Sequence, residues 1–204
     1  MSCDFLKLRE KVRGYMSEKR YRHTLGVEAS ARQIAEYCLP DSADELAIAA
    51  LLHDIAKEKP AEIQREYAIK SGFTVTDDDL STLSALHSFA APYLIKCDFP
   101  ELATKNILSA TFNHTVGAPD MSLFDEIVFV ADYIEENREY LHCKQMRRFL
   151  FDNLSLDESK AENIRALHTT LVQIIDFTIQ YLNDRNMIVN ERTILTKNAF
   201  STLI

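Results

Sequence analysis

Ala47-Ile48-Ala49-Ala50-Leu51-Leu52-His53-Asp54-Ile55-Ala56-Lys57 sets an imidazole and a carboxylate side by side in an apolar run. Residues 43–57 read as one helix, apolar on nearly all sides and therefore central to the fold. Burying a His and an Asp together costs several kcal/mol unless both find partners. Two readings follow: the pair closes a hydrogen-bonded network, or it holds a metal.

Outward from this stretch the chain keeps helical spacing. Phe5, Leu8, Val12 and Tyr15 mark a helix over 4–18 with Asp4 as N-cap, and a second helix covers 21–38. Pro40 closes it, and Asp41-Ser42 are placed to cap the central helix. Downstream, Pro60 opens a helix over 60–71 that Gly72 ends. Thr76–Asp79 caps a helix running through His87 to Ala90, where Pro92 predicts a kink or break near residue 91. Pro100 starts a segment that stops at residues 115–119. Ser122 and Asp125 form a capping pattern before Ile127–Ile134. That run is short and β-branched, so propensity alone allows a strand; its helical surroundings favour a helix. Helices over 137–151 and 157–184 follow, with a short one within 190–204. The fold class is all-α.

Composition supports this. Only 4 Gly and 5 Pro occur in 204 residues, too few breakers for a many-turned β-fold, and 47% hydrophobic residues suffice for a packed core. A net charge of −8 argues against a nucleic-acid polymer as partner. It leaves room for an anionic small molecule, since a metal and a few local cations can reverse the field in one cleft. No run has the length of a membrane span or a signal peptide, so no membrane association and a cytoplasmic location are expected. Cys3, Cys38, Cys97 and Cys143 lack zinc spacing and read as reduced thiols.

Four of six histidines sit in or at the end of a helix beside apolar neighbours: His23, His53, His87 and His114. Asp54 adjoins His53, and Asp132 lies within Val128-Phe-Val-Ala-Asp-Tyr-Ile134. Imidazole and carboxylate suit several divalent ions, and spacing does not choose among them. His142 and His168 read as surface or supporting residues.

Arg20-Tyr-Arg-His-Thr-Leu-Gly-Val27, the His53-Asp54 doublet, His87-Ser88, Asn113-His-Thr-Val-Gly117 and Val130-Ala-Asp-Tyr-Ile-Glu-Glu-Asn-Arg138 resemble, in order and spacing, the HD-domain metal-dependent phosphohydrolases. Within them the set is most similar to the YqeK-like branch of symmetrical dinucleoside tetraphosphate hydrolases. The resemblance implies a single HD-domain helical bundle over 1–204, with a metal core at about 18–135 and C-terminal helices at about 137–204. It implies four basic metal ligands, His23, His53, Asp54 and Asp132. His87 and His114 would add a second metal position, with Asp54 bridging. The implied cofactors are two divalent ions, iron first, with manganese, cobalt or magnesium as substitutes. The implied reaction is symmetrical cleavage of diadenosine tetraphosphate to two ADP, a metal-activated hydroxide attacking an inner phosphorus. A homodimer is compatible with it.

Asp54, His53 and Lys57 are then the candidate catalytic residues, and Arg20, Lys57, Thr115 and Arg138 the candidate substrate contacts. Each contact has a plain structural alternative. Lys57, one helical turn past His53, would otherwise be a solvated lysine. Arg20 would be a surface arginine, and Thr115 a helix cap. Arg138 would pair with Glu135 along one helix. Tyr133, Phe112 and Phe89 could stack on a base, but core packing is the expected role of all three. Ser88 stands where the family usually has glycine, which bears on backbone approach to the metals. Ala118 stands where a basic residue is common, which bears on a phosphate contact, and Glu136 where proline is usual. Two other functions compete: an HD phosphohydrolase of nucleoside monophosphates or cyclic nucleotides, and a non-catalytic nucleotide-binding module.

Overall fold

The computed structural model describes residues 3–204. It contains α1 (Phe5–Arg13), α2 (Glu18–Cys38), α3 (Ala43–Leu52), α4 (Ala61–Ile69), α5 (Asp77–Ser81) and α6 (Leu86–Asp98). Then come α7 (Lys105–Asn113), α8 (Leu123–Ile134), α9 (Leu141–Asn153), α10 (Lys160–Asn183) and α11 (Glu191–Phe200). Single 3-10 turns occur at Pro40–Ser42 and Pro100–Leu102, and no strand occurs among the described residues. None of these helices is long and apolar enough to cross a membrane.

Helix α2 packs on α3 and α8, α3 packs on α7, and α7 packs on α8, closing a ring of four helices. Every residue of α3 from Leu46 to Leu52 is buried, and its alanines let neighbouring backbones approach. Helix α6 lies against α4 and α7, while α10 crosses α8, α9 and α11. One apolar cluster runs from Leu8 to Phe200 through this stack, and a smaller one gathers Phe89, Phe112 and Val116. Phe89 and Phe112 thus serve the core, as expected, with Phe73 stacked on Phe112 at 4.4 Å.

Several expected boundaries move. Helix α3 stops at Leu52 instead of residue 57. His53 Nδ1 bonds the Ala50 carbonyl at 2.6 Å, and the chain continues in tight turns, such as Lys57 N to Asp54 O at 2.9 Å. A side chain that takes a helix carbonyl offers the backbone an alternative to the next helical turn. Ser42 precedes α3 without making a cap bond, and the Pro40–Ser42 turn stands there instead. The expected helix ending at Ala90 divides into α5 and α6, with turns at residues 82–85, so His87 sits in the first turn of α6. Pro92 does not break α6, which runs on to Asp98. The missing proline amide costs Ser88 its helical partner, but Phe89–Ala91, Leu94 and Ile95 are buried on both sides and hold the helix. Helix α9 begins at Leu141, leaving residues 135–140 as a loop.

The capping patterns are formed. Ser122 and Asp125 make a reciprocal capping box, as do Thr76 and Asp79. Asp79 also joins the C-terminal segment: Arg192 Nε donates to its Oδ1 at 2.9 Å, and Asn190 reaches the same oxygen at 3.3 Å. Burial would raise the Asp79 pKa, but Arg192 and the Thr76 amide hold it below its usual value. The folded state therefore takes up protons later than the unfolded chain, where an Asp titrates near about 3.9. This contribution is complete above that pH and is lost as pH falls through it to the folded value. Arg192→Met is expected to cost about 2 kcal/mol at pH 7 and less at pH 3. Urea unfolding at both pH values checks this; an equal loss at both would contradict it.

Candidate metal centre

Six residues from five places in the chain meet near the ends of the ring helices. His23 comes from α2, His53 and Asp54 from the turn after α3, His87 from the start of α6, His114 from the end of α7, and Asp132 from α8. Four are fully or almost fully buried, His23 is buried, and Asp132 is partly exposed. Ligand atoms of His23, His53 and Asp132 lie within 4.8 Å of one another, and so do those of His53, Asp54 and His114. His87 falls in neither triplet, yet its Nε2 is 3.1 Å from His114 Nε2 and 3.2 Å from Asp54 Oδ1.

The outer contacts orient the rings. His53 Nδ1 faces the Ala50 carbonyl at 2.6 Å, His114 Nδ1 the Thr111 carbonyl at 2.8 Å, and His23 Nδ1 the Glu135 carboxylate at 3.0 Å. Each acceptor requires a proton on Nδ1, which in the neutral ring leaves Nε2 as the inward lone pair. This is how metal-bound histidines are usually held. His23 Nε2 and His53 Nε2 are buried without a hydrogen-bond partner. Asp132 Oδ1 is only 3.0 Å from His23 Nε2, but not in line for a hydrogen bond. Converging donors and orphaned lone pairs fit a metal ion better than a closed hydrogen-bond network.

The protonation pattern agrees. Burial and the Lys57 charge push His87 down to about 3, and burial with the nearby His53 lowers His114. Burial would raise Asp54 and Asp132. Instead His53 and His114 hold Asp54 well below the usual carboxylate range, and Arg138 with His23 does so for Asp132. Neutral imidazole and ionised carboxylate are the forms that bind metals. At His23, burial pulls the pKa down, but Asp132 and Glu135 outweigh it and hold the ring up at about 9. Positive charge is favoured at that point, whether proton or metal ion.

The expected substrate contacts sit close by. Arg20 donates to Asp54 Oδ2 at 2.8 Å, and Arg138 to Asp132 Oδ1 at 2.7 Å. Arg138 does not pair with Glu135, because α8 ends at Ile134 and Glu135 turns to His23. Its buried Nε has no partner. Lys57 Nζ lies 3.2 Å from both ring nitrogens of His87, carried there by the turns after α3, not by a helical face. Thr115 Oγ1 is 3.2 Å from His87 Nε2, so it serves the cluster and not a cap. The Ser88 hydroxyl bonds the Ala85 carbonyl, Ala118 is buried, and Glu136 stands exposed in the 135–140 loop. His168 faces Glu126 at 3.1 Å, away from the cluster. Arg20, His23, Lys57 and Arg138 line a cleft of about 530 Å³ over the centre.

Glu135 read in the sequence only as a helical partner for Arg138, and Arg147 carried no assigned role. Arg147 donates to the carbonyls of Ile134, Glu135 and Arg138, fixing the loop that carries both Glu135 and Arg138. Glu135 lies inside the Asp132–Arg138 motif, which was its only functional signal.

The HD domain profile matches residues 20–137, which span all six residues of the cluster. The chain belongs to the HD domain family. Within that family, its relatives include the symmetrical bis(5'-nucleosyl)-tetraphosphatase of Bacillus subtilis, 30% identical over 92% of each chain. The protein of the same name from Halalkalibacterium halodurans is 28% identical over 94% of each. A Clostridium acetobutylicum crystal structure, described as a predicted HD superfamily hydrolase involved in NAD metabolism, aligns at TM-score 0.82. It is 28% identical and covers 99% of each chain. This HD protein is therefore all-α, as its sequence predicts, and an enzyme of the hydrolase class.

Proposed function

We propose that this HD hydrolase cleaves diadenosine tetraphosphate symmetrically into two ADP. One observation carries the two-metal form of this reading. Asp54 Oδ2 faces His53 at 3.3 Å and His23 at 3.7 Å, while Oδ1 faces His87 at 3.2 Å and His114 at 3.7 Å. One carboxylate thus addresses two sets of donors. His23, His53 and Asp132 would hold one ion and His87 and His114 the other, with Asp54 shared. Iron is the ion proposed first. Two bound divalent ions supply Lewis acidity and make water acidic enough to ionise near neutral pH.

The chain's own residues do the rest. Arg20, Lys57 and Arg138 bring three positive charges to the cleft, against a substrate of about four negative charges. Arg138, on the wall of the cleft, offers a planar guanidinium to a phosphate. Burial lowers the Lys57 pKa while Asp54 and Asp132 oppose it, and its Nζ would serve as the charge partner of the departing diphosphate. Thr115 holds the His87 edge of the site. Water oxygen bonds to an inner phosphorus, the bond to the central bridging oxygen breaks, and ADP leaves while the other half carries the new oxygen as ADP. We further propose that residues 1–204 act as one unit, since α8, α10 and α11 share the apolar cluster that α1, α2 and α3 begin.

Chromatography of products, with and without added iron, tests the reading. Two ADP per substrate is the expected result. ATP with AMP, or phosphate released from AMP with the tetraphosphate untouched, would overturn it.

A further inference from the structure

Beside the metal cleft is a second cavity, of about 510 Å³, between α8, α9 and α10. Its wall is aromatic. His142 stacks on Phe177 with centroids 3.7 Å apart and planes 10° from parallel, and Tyr133 meets His142 edge-on at 5.7 Å. The Tyr133 hydroxyl bonds His142 Nδ1 at 2.8 Å, which fixes the ring, and Tyr181 continues the wall beyond Phe177. Phe177 and Tyr181 remain 41% and 43% exposed, although α10 packs its other face into the core. Arg138 and Tyr140 line both this cavity and the metal cleft, so the two adjoin.

We infer that this cavity receives the base of one nucleotide half of the substrate, with the Phe177–His142 pair as the stacking platform. The reading rests on the proposed nucleotide chemistry of the adjoining cleft. A ligand that fills both spaces needs a flat apolar group joined to an anionic chain, with Arg138 at the junction. A purine nucleotide with two or more phosphates has that form. Base–aromatic stacking is sequence-tolerant and loses about 5- to 150-fold in affinity when one platform ring is removed. Gln145 supplies an amide on the same wall for the base edge.

Calorimetric titration of metal-loaded protein with ADP and, separately, inorganic pyrophosphate tests this without requiring turnover. Phe177→Ala should weaken ADP at least about fivefold and leave pyrophosphate unchanged, and Phe177→Leu should lose nearly as much, since it restores bulk but no ring face. Equal losses for both ligands, no loss for either, or full recovery in Phe177→Leu would overturn the base site. The tetraphosphatase reading fails separately, by product analysis. If that reading fails while ADP still binds in a Phe177-dependent way, the base site stands on a different nucleotide substrate.

Discussion

Asp54→Ala is expected to leave the protein with well under one equivalent of metal and to cut tetraphosphate turnover by on the order of a thousandfold or more. Both Asp54 oxygens face donors, so removing the side chain takes an anionic partner from each half of the cluster at once. His53 and His87 keep their positions on turn and helix but lose the carboxylate they share. Lys57→Ala is the contrasting case. Its ammonium faces the ring of His87 and supplies no lone pair, so metal content should persist while KM for the tetraphosphate rises. Metal analysis together with steady-state kinetics on both variants checks the pair. Full activity in Asp54→Ala would end its assignment as the shared ligand.

Gly26→Ala should weaken metal binding by about 10- to 100-fold without unfolding α2. A Cβ at Gly26 would lie 2.2 Å from Glu135 Oε2 and 3.1 Å from its carboxyl carbon, far inside contact distance. Glu135 would have to withdraw, and with it the 3.0 Å contact that holds His23 Nδ1. Alanine is about 1 kcal/mol better than glycine inside a helix, so secondary structure alone predicts the opposite sign. Competition against a chelator of known affinity measures the effect. Glu135→Gln should lose less, because it keeps the shape and an acceptor oxygen. Unchanged affinity in Gly26→Ala would show that Glu135 does not govern the His23 ring.

The HD centre was legible because its residue types are costly to bury. A His and an Asp at 53 and 54, and single histidines at 23, 87 and 114 beside apolar residues, announce a shared partner wherever the chain folds. Residue type and order named them, but not their facing directions. Arg138 and Glu135 show the difference. At a spacing of three they read as a helical pair, yet α8 ends at Ile134 and they part, one to Asp132 and the other to His23. Tyr133 packs against the core, as expected, and also borders the aromatic cavity. Phe177 carried no signal, since its platform needs α9 and α10 side by side.

Helix identity followed the same division. The alternation of apolar residues and the capping Ser122, Thr76 and Asp4 marked most helices directly, because these effects act within a few residues. Ile127–Ile134 was ambiguous by propensity, and burial of Phe124–Ala131 among α2, α7 and α10 settles it as helix. Pro92 marked a kink or break, and buried neighbours on both sides keep α6 running through it to Asp98. Local pattern was enough to mark a helical chain with six residues chemically suited to a divalent metal. Where α3 ends, how His53 and Asp54 turn into the centre, and why Gly26 must stay small for Glu135 came from long-range packing. Those outcomes depend on contacts between residues far apart in the chain, which local spacing does not encode.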